Sequence, residues 1–315
     1  MTLHGITDAP PKELAEALAR FEAQFTYPLG PGRCFRISHG SDYSRFYRAM
    51  GESTCFVAES DGIVQGTLSA AVRPLKHPDG QKRPVLYLGD LKVAPGGRSG
   101  RTLLTLANAM QRWAEPRVAA AYGIVMDGTR GLPQQYTGRL GIPPFREIGK
   151  IAVIRLPTTS DQAGNQGAWD SSETAGPACF RELSAGQCVG IGGFPEMRSE
   201  QPPLWLVKSD GAACGRLEDT RQAKRLISDD DMELRSAHLS CFAFRDPLAG
   251  AALLKVASRL AAIRGFPALF FSVAVPVARV LCRDWTESEI VIAPATVYGT
   301  GLEPQVSWNI NTAEI

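Results

Sequence analysis

The sequence predicts an α/β fold in two similar halves, and three observations carry that expectation. Strand-like and helix-like segments alternate along the whole chain. The order of elements repeats after a stretch rich in Gly, Ser and Thr, which points to an internal duplication. The runs at Val85 and Ala119 are nearly continuous apolar segments, the composition of strands covered on both faces. With 315 residues, 44% of them hydrophobic, the chain is long enough for two cores of ordinary domain size.

The elements follow in order. TDAPPKELAEALARFEAQF predicts an amphipathic helix, capped by Thr7 and Asp8, with Leu14, Leu18, Phe21 and Phe25 on one face. Cys34 to Ser38 reads as a strand and Ser41 to Met50 as a capped helix. CFVAESDGIVQGTLSAAV predicts a β-hairpin turning at Ser60-Asp61-Gly62, because Asp-Gly supplies the positive φ angles of such a turn. PLKHPDGQKRP reads as a polar loop, VLYLGDLKV as a buried strand, and Thr102 to Ala114 as a helix. AAAYGIVMDG is a further buried strand, and FREIGKIAVIRL a bent strand or a pair.

Residues 157–177 have linker composition and divide the expected domains into 1–156 and 178–315. Beyond them, Cys179-Phe180-Arg181 repeats Cys34-Phe35-Arg36, and LWLVKSDGAACGRL from Leu204 repeats CFVAESDGIVQGTL from Cys55. A strand near Leu234 to Phe244, an Ala/Leu helix through LAGAALLKVASRLAAI and the strand ALFFSVAV complete the second series.

Composition excludes several function classes. A net charge of +2 leaves no global basic field for nucleic acid or an anionic membrane. The most apolar stretch, from Phe266, is broken by Pro276 and Arg279, and the N-terminus has no charged-then-apolar leader, so a cytoplasmic chain is expected. Seven scattered Cys without C-x-x-C fit reduced thiols, and four His without ligand spacing make a metal site unexpected.

The chemistry concentrates where VLYLGDLKV runs into APGGRSGRTLL. As a P-loop this stretch fails, because Arg101 stands where the Lys belongs and Pro95 where the first Gly belongs. Gly96, Gly97 and Gly100 also have the wrong spacing for a dinucleotide fingerprint. What survives is a Gly-rich turn at a helix start, flanked by Arg98 and Arg101, whose N–H groups and charges suit a pyrophosphate; a solvated helix start is the alternative.

From Gly89 to Arg98, GDLKVAPGGR resembles the GNAT N-acetyltransferases, whose pattern is an apolar strand followed by V-x-P-x-x-R-G-x-G-x-G/A opening a helix. Ser99, Arg101 and Leu103 stand where that pattern has small residues. QQYTGRLGIPPFREIG resembles the family's final helix and strand, with Tyr136 one residue further from Leu140-Gly141 than usual. The resemblance runs from about Cys34 to Leu156, and the second half resembles the fold alone, since Asp246-Pro247 stands at its counterpart loop.

The resemblance implies two tandem GNAT-like acyl-CoA N-acyltransferase domains, with mixed central sheets flanked by helices. It implies acetyl-CoA as cosubstrate and a small-molecule or peptide amine as acceptor. Leu91, Lys92 and Val93 would bring a strand N–H to the thioester carbonyl, and Gly96, Gly97, Arg98, Ser99, Gly100, Arg101 and Thr102 would meet the pyrophosphate. Asp90 would take the amine's proton, its pKa raised by partial burial, or else be a carboxylate bonded to backbone at a strand bulge. Tyr136 would protonate the thiolate, or else sit at a core edge. Asp127 ends a buried strand at a sheet edge where ligands bind, or else is a helix cap or turn former; His39, His77 and His238 read as structural or surface residues, and Cys55 and Cys241 as small core residues. The rival reading is a non-catalytic coenzyme A-binding or regulatory protein on the same scaffold.

Overall fold

The computed structural model describes residues 1–28, 33–96, 99–129, 131–158, 169–285 and 290–315. The first half runs β1 (Thr2–Ile6), α1 (Lys12–Glu22), β2 (Tyr27–Pro28), β3 (Cys34–Ser38), α2 (Arg45–Arg48), β4 (Glu52–Ser60) and β5 (Ile63–Lys76). It continues with β6 (Lys82–Val93), α3 (Ser99–Ala114), β7 (Ala121–Met126), α4 (Pro133–Tyr136) and β8 (Arg146–Pro157). Then come β9 (Trp169–Asp170), α5 (Ala175–Leu183), β10 (Cys188–Gly190), α6 (Pro195–Arg198), β11 (Leu204–Lys208), β12 (Ala213–Glu218) and β13 (Arg225–Ser228). The chain closes with β14 (Ala237–Phe244), α7 (Pro247–Ile263), β15 (Ala268–Val273), α8 (Ala278–Leu281), β16 (Val291–Thr300) and β17 (Trp308–Asn309).

One mixed sheet holds both halves in the order β1-β4-β5-β6-β7-β16-β8-β15-β14-β12-β11-β9, with β10 joined to β5 and β17 beside it. β8 lies between two strands of the second half, and β16 between two strands of the first. Each half therefore completes its sheet with the other's last long strand. The parallel pairs β6/β7 and β14/β15 sit symmetrically about this exchange. A small sheet, β13-β3-β2, also joins the halves.

The hairpin turn has φ of 53° at Asp61 and 76° at Gly62, as Asp-Gly dictates. β5 and β6 extend into the expected polar loop, leaving only residues 77–81 between them. The helix expected over Ser41 to Met50 contracts to Arg45–Arg48, and β1 pairs with β4 where no strand was expected. Pro11 precedes α1, with no side-chain cap from Thr7 or Asp8. Of the expected linker, residues 159–168 lie outside the described residues, while β9 and the start of α5 occupy its far end.

The two matched repeats fare differently. The Ser-Asp-Gly hairpins superpose in role as β4/β5 and β11/β12. Cys34-Phe35-Arg36 lies in a strand but Cys179-Phe180-Arg181 in helix α5, so that match is a coincidence of sequence. Among the described residues no helix is long and apolar enough to cross a membrane.

Candidate active site

Strand β6 bends at Asp90. Thr67 pairs with Lys92 and Ser69 with Gly89, so Asp90 and Leu91 together face Leu68 alone, a β-bulge with Asp90 at φ 55°. Asp tolerates this left-handed conformation better than most residues. β6 and β7 pair through Leu88 and Gly123 and no further. Where they part, a cavity of about 1060 Å³ opens, walled by Leu88, Gly89, Asp90, Leu91 and Ile124 and reaching Leu103, Ala107 and Met110 of α3. Gly89 permits the close approach behind it: a Cβ there would lie 2.5 Å from the Tyr47 hydroxyl.

Asp90 is the centre of a buried charge cluster. Lys92 Nζ lies 2.7 Å from Asp90 Oδ1 and 3.3 Å from Glu22 Oε1. Tyr43 donates its hydroxyl to Asp90 Oδ2 at 2.7 Å. His39 Nδ1 is 2.6 Å from Glu22 Oε1 and 3.5 Å from Asp90 Oδ2. Helix α1, the segment between β3 and α2, and strand β6 each supply part of this cluster, and the side chains of Glu22, His39, Asp90 and Lys92 are at most 7% exposed.

Burial on its own raises the Asp90 pKa, but the Lys92 ammonium, together with the hydrogen bonds from Lys92 and Tyr43, holds it well below the usual carboxylate range. The raised pKa expected from sequence is thereby reversed. Burial lowers the Lys92 pKa, and Asp90 and Glu22 more than offset this, so the ammonium stays charged. Glu22, His39 and Asp90 have metal-ligand spacing, yet Lys92 already supplies the cation between the two carboxylates.

Tyr136 ends α4 and lines the same cavity. Burial, aided by Tyr298, raises its pKa to about 12, which keeps the phenol protonated. At the start of α3, Gly100 and Arg101 are exposed and Thr102 is buried, its hydroxyl directed at Met1 Sδ. Ser99 opens the helix after the turn at Gly96, while Gly97 and Arg98 lie outside the described residues. Lys92 turns its side chain into the cluster, and Leu91 faces the cavity. Val93 pairs with Gly66. Asp127 is exposed, lies among the residues lining the cavity and accepts from the Thr296 hydroxyl of β16 at 2.9 Å.

Sequence reasoning missed His39 and Glu22, which lie far apart in sequence and meet only through the packing of α1 on β3 and β6. A substrate-shaping role for the second half is expected from sequence, but not the residues that would supply it. Lys224, His238, Thr312 and Ile315 line the cavity opposite Asp90. Burial lowers Lys224 to about 8, and its ammonium bonds the Ile315 carbonyl and lies over the Phe46 ring. Burial likewise lowers His238 to about 3, so this imidazole is neutral.

No protein-family profile matches the sequence, and no curated protein matches it. Among solved structures, N-myristoyltransferase of Saccharomyces cerevisiae with bound myristoyl-CoA aligns over 99% of this chain and 87% of its own, at 11% identity and a TM-score of 0.65. A GCN5-related N-acetyltransferase from Anabaena variabilis aligns over 95% of this chain and 72% of its own, at 12% identity and a TM-score of 0.50. The chain has a GNAT-like fold. Within it, the bulge repeats: Cys214 pairs with Ala243 and Arg216 with Ser240, so Cys241 and Phe242 face Gly215, with Cys241 at φ 51°. The counterpart of Asp90 is therefore Cys241, not the Ala237 to Leu239 stretch that sequence spacing pointed to.

Proposed function

We propose that the chain transfers an acyl group from an acyl-CoA thioester to an amine by direct attack in a ternary complex. The observation that carries this is the bulged strand β6 parting from its parallel neighbour β7, with a Gly-rich helix start beyond it. Backbone N–H groups at Leu91 to Val93 would polarise the thioester carbonyl and align it with the amine. Gly96 and the helix start at Ser99, Gly100, Arg101 and Thr102, with Gly97 and Arg98 as the sequence places them, would hold the pyrophosphate.

Proton handling falls to the cluster that Asp90 anchors. Asp90 is kept charged by Lys92, so the amine's proton passes to the neighbouring imidazole of His39, which Glu22 and Asp90 orient. Tyr136 returns a proton to the departing thiolate. The acceptor is a small-molecule or peptide amine, entering from the side of Lys224 and Thr312. The first half is the acyl-CoA half, and the repeated bulge supports a tandem duplication.

Acetyl is the simplest acyl group. A second reading, a longer chain, is favoured by the apolar wall that Leu86, Leu103, Ala107 and Met110 give the cavity. Thermal unfolding with acetyl-CoA, decanoyl-CoA and magnesium ATP tests both. A native-state ligand at a hundredfold its Kd adds about 2.7 kcal/mol, so the thioesters should raise Tm and ATP should not. Stabilisation by ATP alone would overturn the reading.

A further inference from the structure

The second half has the same bulge and the same parting strands, but its gap is filled. β14 and β15 pair at Ala237 and His238 and then diverge, and residues 309–312 lie across the opening. Asn309 Nδ2 donates to the Phe242 carbonyl at 2.9 Å, and the Cys241 N–H donates to Asn311 Oδ1 at 2.7 Å. From β15, the Ser272 hydroxyl donates to the Ile310 carbonyl. His238 Nδ1 meets the Thr312 hydroxyl at 3.0 Å. Cys241 and Phe242 are the counterparts of Asp90 and Leu91, so this segment bonds backbone groups at the position that faces the open cavity in the first half.

The segment is also locked from behind. Arg73 Nη1 lies 2.8 Å from Glu314 Oε2, and Arg198 Nη1 lies 3.4 Å from Glu314 Oε1, with all three side chains buried. Asn311 Nδ2 donates to the same carboxylate at 3.1 Å. At the mouth of the gap, Asp246 caps α7 by accepting from the Ala249 N–H, and Pro247 has no N–H to offer. A carboxylate there opposes a second anion.

We propose that residues 309–312 are a built-in occupant of the second half's cleft, standing where acyl-CoA stands in the first. The lock at Glu314 then fixes Thr312 and Ile315 as a wall of the acceptor chamber, a role that rests on the function proposed above. Asn309, Asn311 and Glu314 are positioning residues.

Hydrogen exchange read by mass spectrometry on the full chain, with acetyl-CoA as probe, tests this. In the unliganded protein the amides of 309–315 and of 241–243 should be protected. Asn311→Ala should speed exchange in both segments together, by about tenfold for one lost hydrogen bond, and leave the 89–92 segment unchanged. Acetyl-CoA should slow exchange at 89–92 only. Ser272→Ala, which removes one bond from the β15 side, makes the same comparison if Asn311→Ala does not fold. Protection of 241–243 by acetyl-CoA, or loosening of 309–315 that leaves 241–243 unchanged, would overturn the proposal. Protection of neither segment by acetyl-CoA would sink the acyl-CoA reading, while the coupling between 309–315 and 241–243 still decides the occupant.

Discussion

Asp90 carries three demands at one position: a left-handed backbone, a buried negative charge, and a wall of the cavity. Asn tolerates the same backbone and lacks the charge, so Asp90→Asn isolates the electrostatic part. Turnover on a true acceptor should fall by roughly a hundred- to ten-thousandfold, while acetyl-CoA affinity, read by calorimetry, stays near normal. Unchanged turnover would make the carboxylate a purely structural bulge residue. Tyr136→Phe should lower turnover over the same range, because no other group is assigned to the thiolate. Normal turnover in that variant would move the acid elsewhere. Tyr87, which lines the same cavity, is then next in line, whereas Tyr122 does not reach it. The Asp within an apolar run was legible in the sequence; its partners were not, because Glu22 and His39 belong to elements that only tertiary packing brings near.

At the scale of elements, the strands, the Asp-Gly hairpins and the α3 and α7 helices were readable from period and turn chemistry. The bulges were not, since they are set by pairing with β5 and β12 rather than by local preference. The Cys-Phe-Arg match misled because three residues take their conformation from context, the central strand of the small sheet in one case and an amphipathic helix in the other. Helix α3 sets the depth of the cavity through Leu103, Ala107 and Met110. Ala107→Trp places a large side chain on that wall. Decanoyl-CoA affinity should then drop at least tenfold while acetyl-CoA affinity changes little, as two calorimetric titrations would show. Equal effects on both thioesters would place the acyl chain elsewhere.

Across the whole molecule, the exchange of β8 and β16 makes the halves one sheet, which no reading of sequence order anticipates. Buried ionisable groups at the join give stability a pH dependence. His238 is lowered from its ordinary 6.5 to about 3 by burial. For Glu314, burial acts to raise the pKa, but the Arg73 and Arg198 charges bring it down from 4.5 to about 2. Both groups bind protons more readily when unfolded, so their contribution is full above about pH 6.5 and is lost as pH falls. Urea unfolding should show stability declining from about pH 6.5 downward, and His238→Gln should flatten the upper part of that decline. A decline that begins only below pH 4 would show that His238 is protonated in the native state.

The claim on which all of this turns is that acyl-CoA binds between the parting strands of the first half and nowhere else. Calorimetric titration of the full chain with acetyl-CoA measures this most directly. One site per chain is expected, weakened by Arg101→Glu at the start of α3 and indifferent to substitution at Asp246 of the second half. No binding, two sites, or one site that follows Asp246 rather than Arg101 would contradict it.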